Sequence, residues 1–132
     1  MSDTPSPATI SAFDLLGGLQ GVRALVDRFY DAMDQSPDAA GIRAMHPPDL
    51  AESRDRLWMF LVGRFGGPPL YVQARGHPRL RARHLPFRIG EPEAAQWMMC
   101  MERALEASDL PGPARDELLA FFAQVASHMR NR

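Results

Sequence analysis

The sequence predicts an all-α fold. Apolar residues recur at three- and four-residue steps in four long stretches, no segment alternates with period two, and clusters of Gly and Pro separate the stretches. With 132 residues the chain is long enough to bury one core, and it reads as a single domain over residues 11–132 behind a disordered Ser/Thr/Pro-rich lead at residues 1–10.

The elements follow in chain order. Residues 11–16 make a short helix stopped by Gly17-Gly18. A strong helix over residues 19–34 carries Leu19, Val22, Leu25, Val26, Phe29, Tyr30 and Met33 on one face, with Arg23, Asp27, Arg28 and Asp31 on the other. Residues 39–45 form one or two loose turns, broken by His46-Pro47-Pro48. Asp49 is placed to cap the next helix, with Glu52 completing a capping box. That helix turns Leu50, Leu57, Phe60, Leu61 and Phe65 inward and Glu52, Arg54, Asp55 and Arg56 outward, and Gly66-Gly67-Pro68-Pro69 ends it.

Residues 70–75 connect to a very short helix, with Pro78 at its first position and Pro86 forbidding its extension beyond His84. Pro92 opens a helix running to about residue 107, with Trp97, Met98, Met101, Ala104 and Leu105 in one stripe. After Leu110-Pro111-Gly112-Pro113, a last helix over residues 114–129 carries Leu118, Leu119, Phe122, Val125, Ala126 and Met129.

Composition narrows the function. A net charge of -1 argues against a nucleic-acid partner despite the local arginines. The single cysteine, Cys100, excludes an intrachain disulfide and sits in an apolar run as a small buried hydrophobe. No apolar run approaches membrane-span length and the N-terminus lacks a signal-peptide pattern, so a cytoplasmic setting without a membrane partner is the expectation. Helices of unequal length separated by long breaks suit packing around a cofactor better than an up-down bundle.

The chemistry concentrates in Gly76-His77-Pro78-Arg79-Leu80-Arg81-Ala82-Arg83-His84. A histidine among arginines is most simply solvated surface. The other reading is an imidazole that holds a metal beside cations that neutralise an anion, and haem, with its iron and two propionates, has both needs. The Met98, Met99 and Met101 cluster reads as adaptable core packing, and His77 as structural.

This block, with Gly17-Gly18, Phe29-Tyr30, Gly66-Gly67-Pro68, Tyr71, Pro86-Phe87 and Trp97, resembles the second group of the truncated haemoglobins across nearly the whole chain. The resemblance implies a truncated, globin-like two-over-two helical sandwich around haem b, with the paired glycines turning the chain where helices are shortened. It implies His84 as the iron ligand and Arg56, Tyr71 and Arg83 near the propionates. It also implies a distal pocket of Tyr30, His46, Ser53, Leu57, Phe60 and Trp97. His46 departs from the tyrosine or phenylalanine usual there; from its Pro-rich connection a mobile, pH-sensitive contribution is expected, or simply a loop histidine facing solvent.

The implied function is binding of diatomic ligands (O2, CO, NO), as oxygen binding or storage or as oxygen/NO redox chemistry. Nitric oxide dioxygenase or peroxidase-like activity would need electrons from a partner such as a cellular reductase. A helical interaction module, with the arginines as a docking patch, is the non-haem alternative.

Overall fold

A computed structural model describes residues 11–132; the lead expected at residues 1–10 lies outside the described residues. The order is α1 (Ala12–Leu16), α2 (Gly18–Gln35), a 3-10 turn (Pro37–Ala39), α3 (Ala40–Ala44), α4 (Ala51–Arg64), α5 (Leu70–Arg75), α6 (Leu80–His84), α7 (Glu91–Glu106) and α8 (Gly112–Met129). Among the described residues there is no strand, and no helix is long and apolar enough to cross a membrane.

The architecture is a sandwich of α2 and α4 over α7 and α8, joined chiefly where α2 meets α7. Val22, Leu25, Val26, Phe29 and Met33 of α2 are sealed against Leu61 and Val62 of α4, Cys100, Met101 and Leu105 of α7, and Phe122 of α8. Edge-on ring contacts bind the layers: Phe29 to Trp97 at 5.1 Å and Phe65 to Phe122 at 5.9 Å between centroids. Each fully buried ring or branched chain contributes about 1.5–3 kcal/mol, which makes this core the main source of stability.

The paired glycines act in two ways. Gly17, Gly18 and Gly66 have φ of 104°, 72° and 104°, a region that β-carbons disfavour. Gly67 is needed for space instead, because a β-carbon there would lie 2.7 Å from the Phe13 ring. Phe13 N–H then donates to the Phe65 carbonyl at 3.0 Å, fastening α1 to the end of α4.

Several expected boundaries move. Leu19 is 43% exposed, and its contribution is its carbonyl, which accepts the Trp58 indole N–H at 2.9 Å. Helix α4 starts at Ala51, not Asp49, because the Asp49 carboxylate accepts the Ala51 N–H at 2.9 Å in a tight turn ahead of it. Glu52 completes no box there; it pairs with Arg56, and with Arg75 at 3.7 Å. A reaching-back glutamate occurs instead at α7, where Glu93 accepts the Gly90 N–H at 2.8 Å; glycine has no side chain to reciprocate.

Helix α6 begins at Leu80 rather than Pro78, since Arg79 has a φ of 49° and cannot continue a right-handed helix. The His77 ring accepts the Arg79 N–H at 3.0 Å across that break. Residues 70–75 form a true helix, and α8 starts two residues earlier than expected, with Pro113 in its first turn.

Candidate haem site

Helices α2, α4, α6, α7 and α8 leave between them a cavity of about 370 Å³. Tyr30, His46, Ser53, Leu57, Phe60 and Trp97, and also Arg56, Tyr71, Arg83 and His84, all border it. The rest of its lining is mainly apolar, with Leu80, Phe87 and Ile89 on the side of α6 and Val125, Ala126 and Met129 of α8, while Glu52 and Glu93 also border it.

On the α6 side, His84 Nδ1 lies 2.6 Å from the Leu80 carbonyl. A carbonyl only accepts, so Nδ1 carries the proton and, in the neutral ring, Nε2 keeps a lone pair. This is the arrangement of a metal-ligating imidazole whose second nitrogen is fixed by a backbone acceptor. Arg83 donates through Nε to the Pro78 carbonyl at 2.8 Å, which leaves its terminal nitrogens uncommitted. Among the described residues Arg83 has no carboxylate partner, whereas Arg56 is paired with Glu52. The buried Tyr71 makes no hydrogen bond with a described residue, and its hydroxyl is not sealed from the cavity. Arg79 is exposed and does not border the cavity.

On the opposite side stand Tyr30 and Trp97. The Tyr30 ring packs edge-on against Phe29 at 4.9 Å and His46 at 5.8 Å. Burial pushes its phenol well above the usual range, partly offset by the Arg54 charge, so the hydroxyl stays protonated. Neither that hydroxyl nor the Trp97 indole N–H finds an acceptor among the described residues, and neither is sealed off. Two firm donors therefore open on one apolar space.

His46 differs from expectation. It borders the cavity, and the connection holding it is tied down: Arg43 donates to the Pro47 and Pro48 carbonyls, each at 2.9 Å, and pairs with Asp34 at 2.9 Å. The ring's Nδ1 is 2.9 Å from the Ile42 carbonyl. Burial lowers its pKa, the Ile42 bond opposes this, and the Arg43 and His84 charges add to the lowering. At neutral pH the ring is thus neutral, with its one proton on Nδ1 and an accepting Nε2.

Arg54 was expected, with its neighbours, to face largely outward. Its side chain is only 21% exposed: it pairs with Asp27 at 3.0 Å and Asp31 at 2.8 Å, and its guanidinium lies 5.8 Å from the Tyr30 ring centroid. The signal was present as two carboxylates one turn apart on α2, spaced for one planar guanidinium. Asn131 was also missed; it reaches back 44 residues to the Phe87 carbonyl in the loop after His84, and nothing local announces it.

Comparison with known proteins agrees with this arrangement. The bacterial-like globin family matches residues 11–131. The chain is 40% identical over 108 residues to the group 2 truncated haemoglobin of Bacillus subtilis, covering 82% of this chain and 80% of that protein. Among solved structures, a cold-adapted truncated haemoglobin of Pseudoalteromonas haloplanktis superposes with a TM-score of 0.90 at 40% identity, over 93% of this chain and 99% of that one. The group II 2-on-2 haemoglobin of Agrobacterium tumefaciens gives 0.89 at 40% identity, over 96% and 98%. A family match over nearly the whole described chain, an all-helical sandwich and an apolar cavity between facing histidine and tyrosine walls lead to one assignment: the chain belongs to the bacterial-like globin family, among the group II truncated haemoglobins, whose function is haem-based gas binding.

Proposed function

We propose that the cavity would hold haem b, with His84 as the residue that would bind its iron through Nε2, and that Tyr30 and Trp97 face the side on which oxygen would bind. The observation that carries this reading is the His84 bond to Leu80, which leaves the lone pair of Nε2 available at the edge of an apolar cavity. Haem supplies an iron that takes a diatomic ligand reversibly. The chain supplies the rest. Arg83 and Tyr71 present a cation and a hydroxyl to the propionates, with Arg56 as a third contact. Leu57 and Phe60 exclude water, and Ser53 stands at the cavity edge. Tyr30 and Trp97 supply donors that would favour a bound ligand carrying partial negative charge, oxygen over the nearly neutral carbon monoxide.

The same donors serve oxygen storage and oxygen/NO redox chemistry with a cellular reductase. Mixing the oxygenated protein with nitric oxide, then testing for re-reduction by a reductase, separates the two. The haem reading is tested by visible spectroscopy of the purified protein after haem addition. An intense Soret band is expected for the wild type, with His84→Ala keeping its helices and losing most of its haem retention. A His84→Ala variant with an unchanged ferrous-CO spectrum and unchanged haem retention would overturn the assignment.

A further inference from the structure

Helix α6 has five residues, too few to be stable alone. The place of the His84 ring is therefore set by what holds the two ends of the helix. At the N-terminal end, His77 accepts the Arg79 N–H and Arg83 donates to the Pro78 carbonyl. Beyond the C-terminal end, Leu85 and Phe87 are 57% and 42% exposed, and Ile89 is the apolar side chain of the loop that is buried. The polar anchor beside it is Asn131, in the segment after α8.

The Asn131 side chain donates to the Phe87 carbonyl at 2.7 Å and, at a longer 3.4 Å, to the carbonyl of His84 itself. Its Oδ1 accepts the Ile89 N–H at 3.0 Å. The backbone N–H groups of Asn131 and Arg132 both donate to the Ile89 carbonyl, at 2.9 and 3.2 Å. One amide thus meets carbonyls and an N–H on the same short loop. Among small side chains of this shape only asparagine does both, since aspartate has no donor and leucine has neither group.

We propose that Asn131 is a positioning residue for His84: by tying the residue 85–89 loop to the C-terminal segment, it sets the height and rotation of the imidazole presented to the cavity. The inference rests on the haem reading above. It makes the segment after α8 part of the apparatus that holds His84, although Asn131 does not itself border the cavity.

The test uses full-length, haem-loaded protein with Asn131→Ala, Asn131→Asp and, as a control, Arg132→Ala, which keeps its backbone bond. The Asp variant preserves size and the Ile89 acceptor, loses the donor and sets a negative charge against the Phe87 carbonyl. The readouts are the iron–histidine stretching band of the ferrous, unliganded form, haem transfer to excess apomyoglobin, and amide exchange at Ile89. Asn131→Ala and Asn131→Asp should shift or broaden the band and speed haem loss roughly three- to tenfold, the scale of one or two lost hydrogen bonds. Ile89 exchange should rise in Asn131→Ala, and Arg132→Ala should match wild type. Wild-type bands and loss rates in both Asn131 variants would overturn the proposal while leaving the haem reading intact. A wild type that takes up no haem would overturn both.

Discussion

The guanidinium of Arg54 lies across Tyr30, 5.8 Å from the ring centroid, while its nitrogens are held by Asp27 and Asp31 on the helix that carries Tyr30. One side chain of α4 thereby clamps α2 through two carboxylates and rests on the ring that faces the cavity. Arg54→Met removes both ion pairs while keeping apolar bulk. Because the aspartates are half exposed, solvent screening limits the loss to about 1–2 kcal/mol. Urea unfolding should show it as a lower midpoint, with the difference shrinking in high salt. An unchanged midpoint at low ionic strength would remove the clamp from the stability of the fold.

Tyr30 and Trp97 should dominate oxygen retention, and His46 should not. The first two present protonated donors; His46 spends its single proton on Ile42 and presents an acceptor. At neutral pH, Tyr30→Phe and Trp97→Phe are each expected to raise the oxygen dissociation rate by about tenfold, on the scale of a hydrogen bond to a charged acceptor. His46→Phe should change it less than either. Stopped-flow dissociation of the three variants decides the order; a largest effect from His46→Phe would contradict the tautomer assigned here.

Arg83 and Arg56 should differ as contacts for an anion at the cavity edge. Among the described residues Arg83 has no carboxylate to release, whereas Arg56 must leave Glu52. Arg83→Ala is expected to speed haem loss modestly, by a few-fold, in keeping with the about 0–1 kcal/mol of an exposed pair. Arg56→Ala should do less. Equal loss rates for the two variants in low salt would erase the distinction.

Cys100 is fully buried in the core, and burial raises its thiol above the ordinary value of 9.0. The native thiol should therefore resist a disulfide reagent at pH 8, with one equivalent reacting after denaturation. The linked effect on stability has a definite sign. With the folded pKa raised, the contribution is fully present below about pH 9 and is lost as pH rises through the folded value. Chemical unfolding between pH 8 and 10 should show that decline in the wild type and a flatter profile in Cys100→Ala. A thiol that titrates rapidly in the native protein would show that the core around it opens.

Much of this protein is decided locally. The heptad-like spacing of Val22, Leu25, Val26, Phe29 and Met33 is enough to predict α2 and its buried face, because periodicity is a property of neighbouring residues. Gly17-Gly18 and Gly66-Gly67 mark turns for the same reason, and Pro86 keeps His84 at the end of its helix. The block from Gly76 to His84, with Tyr30 and Trp97, carried the family resemblance and named residues that border one cavity.

The tertiary structure decided what those residues can do there. Whether His46 donates or accepts depends on the Ile42 carbonyl one turn away and on how deeply the ring is buried. Arg54 faces inward because α2 brings Asp27 and Asp31 to meet it, and Leu19 faces water although it shares their helix's apolar period. Asn131 holds the loop after His84 from more than forty positions away. A hydrophobic period records which face of a helix seeks the core; the partner of a polar side chain is set by where the folded chain returns, and no local pattern encodes that return.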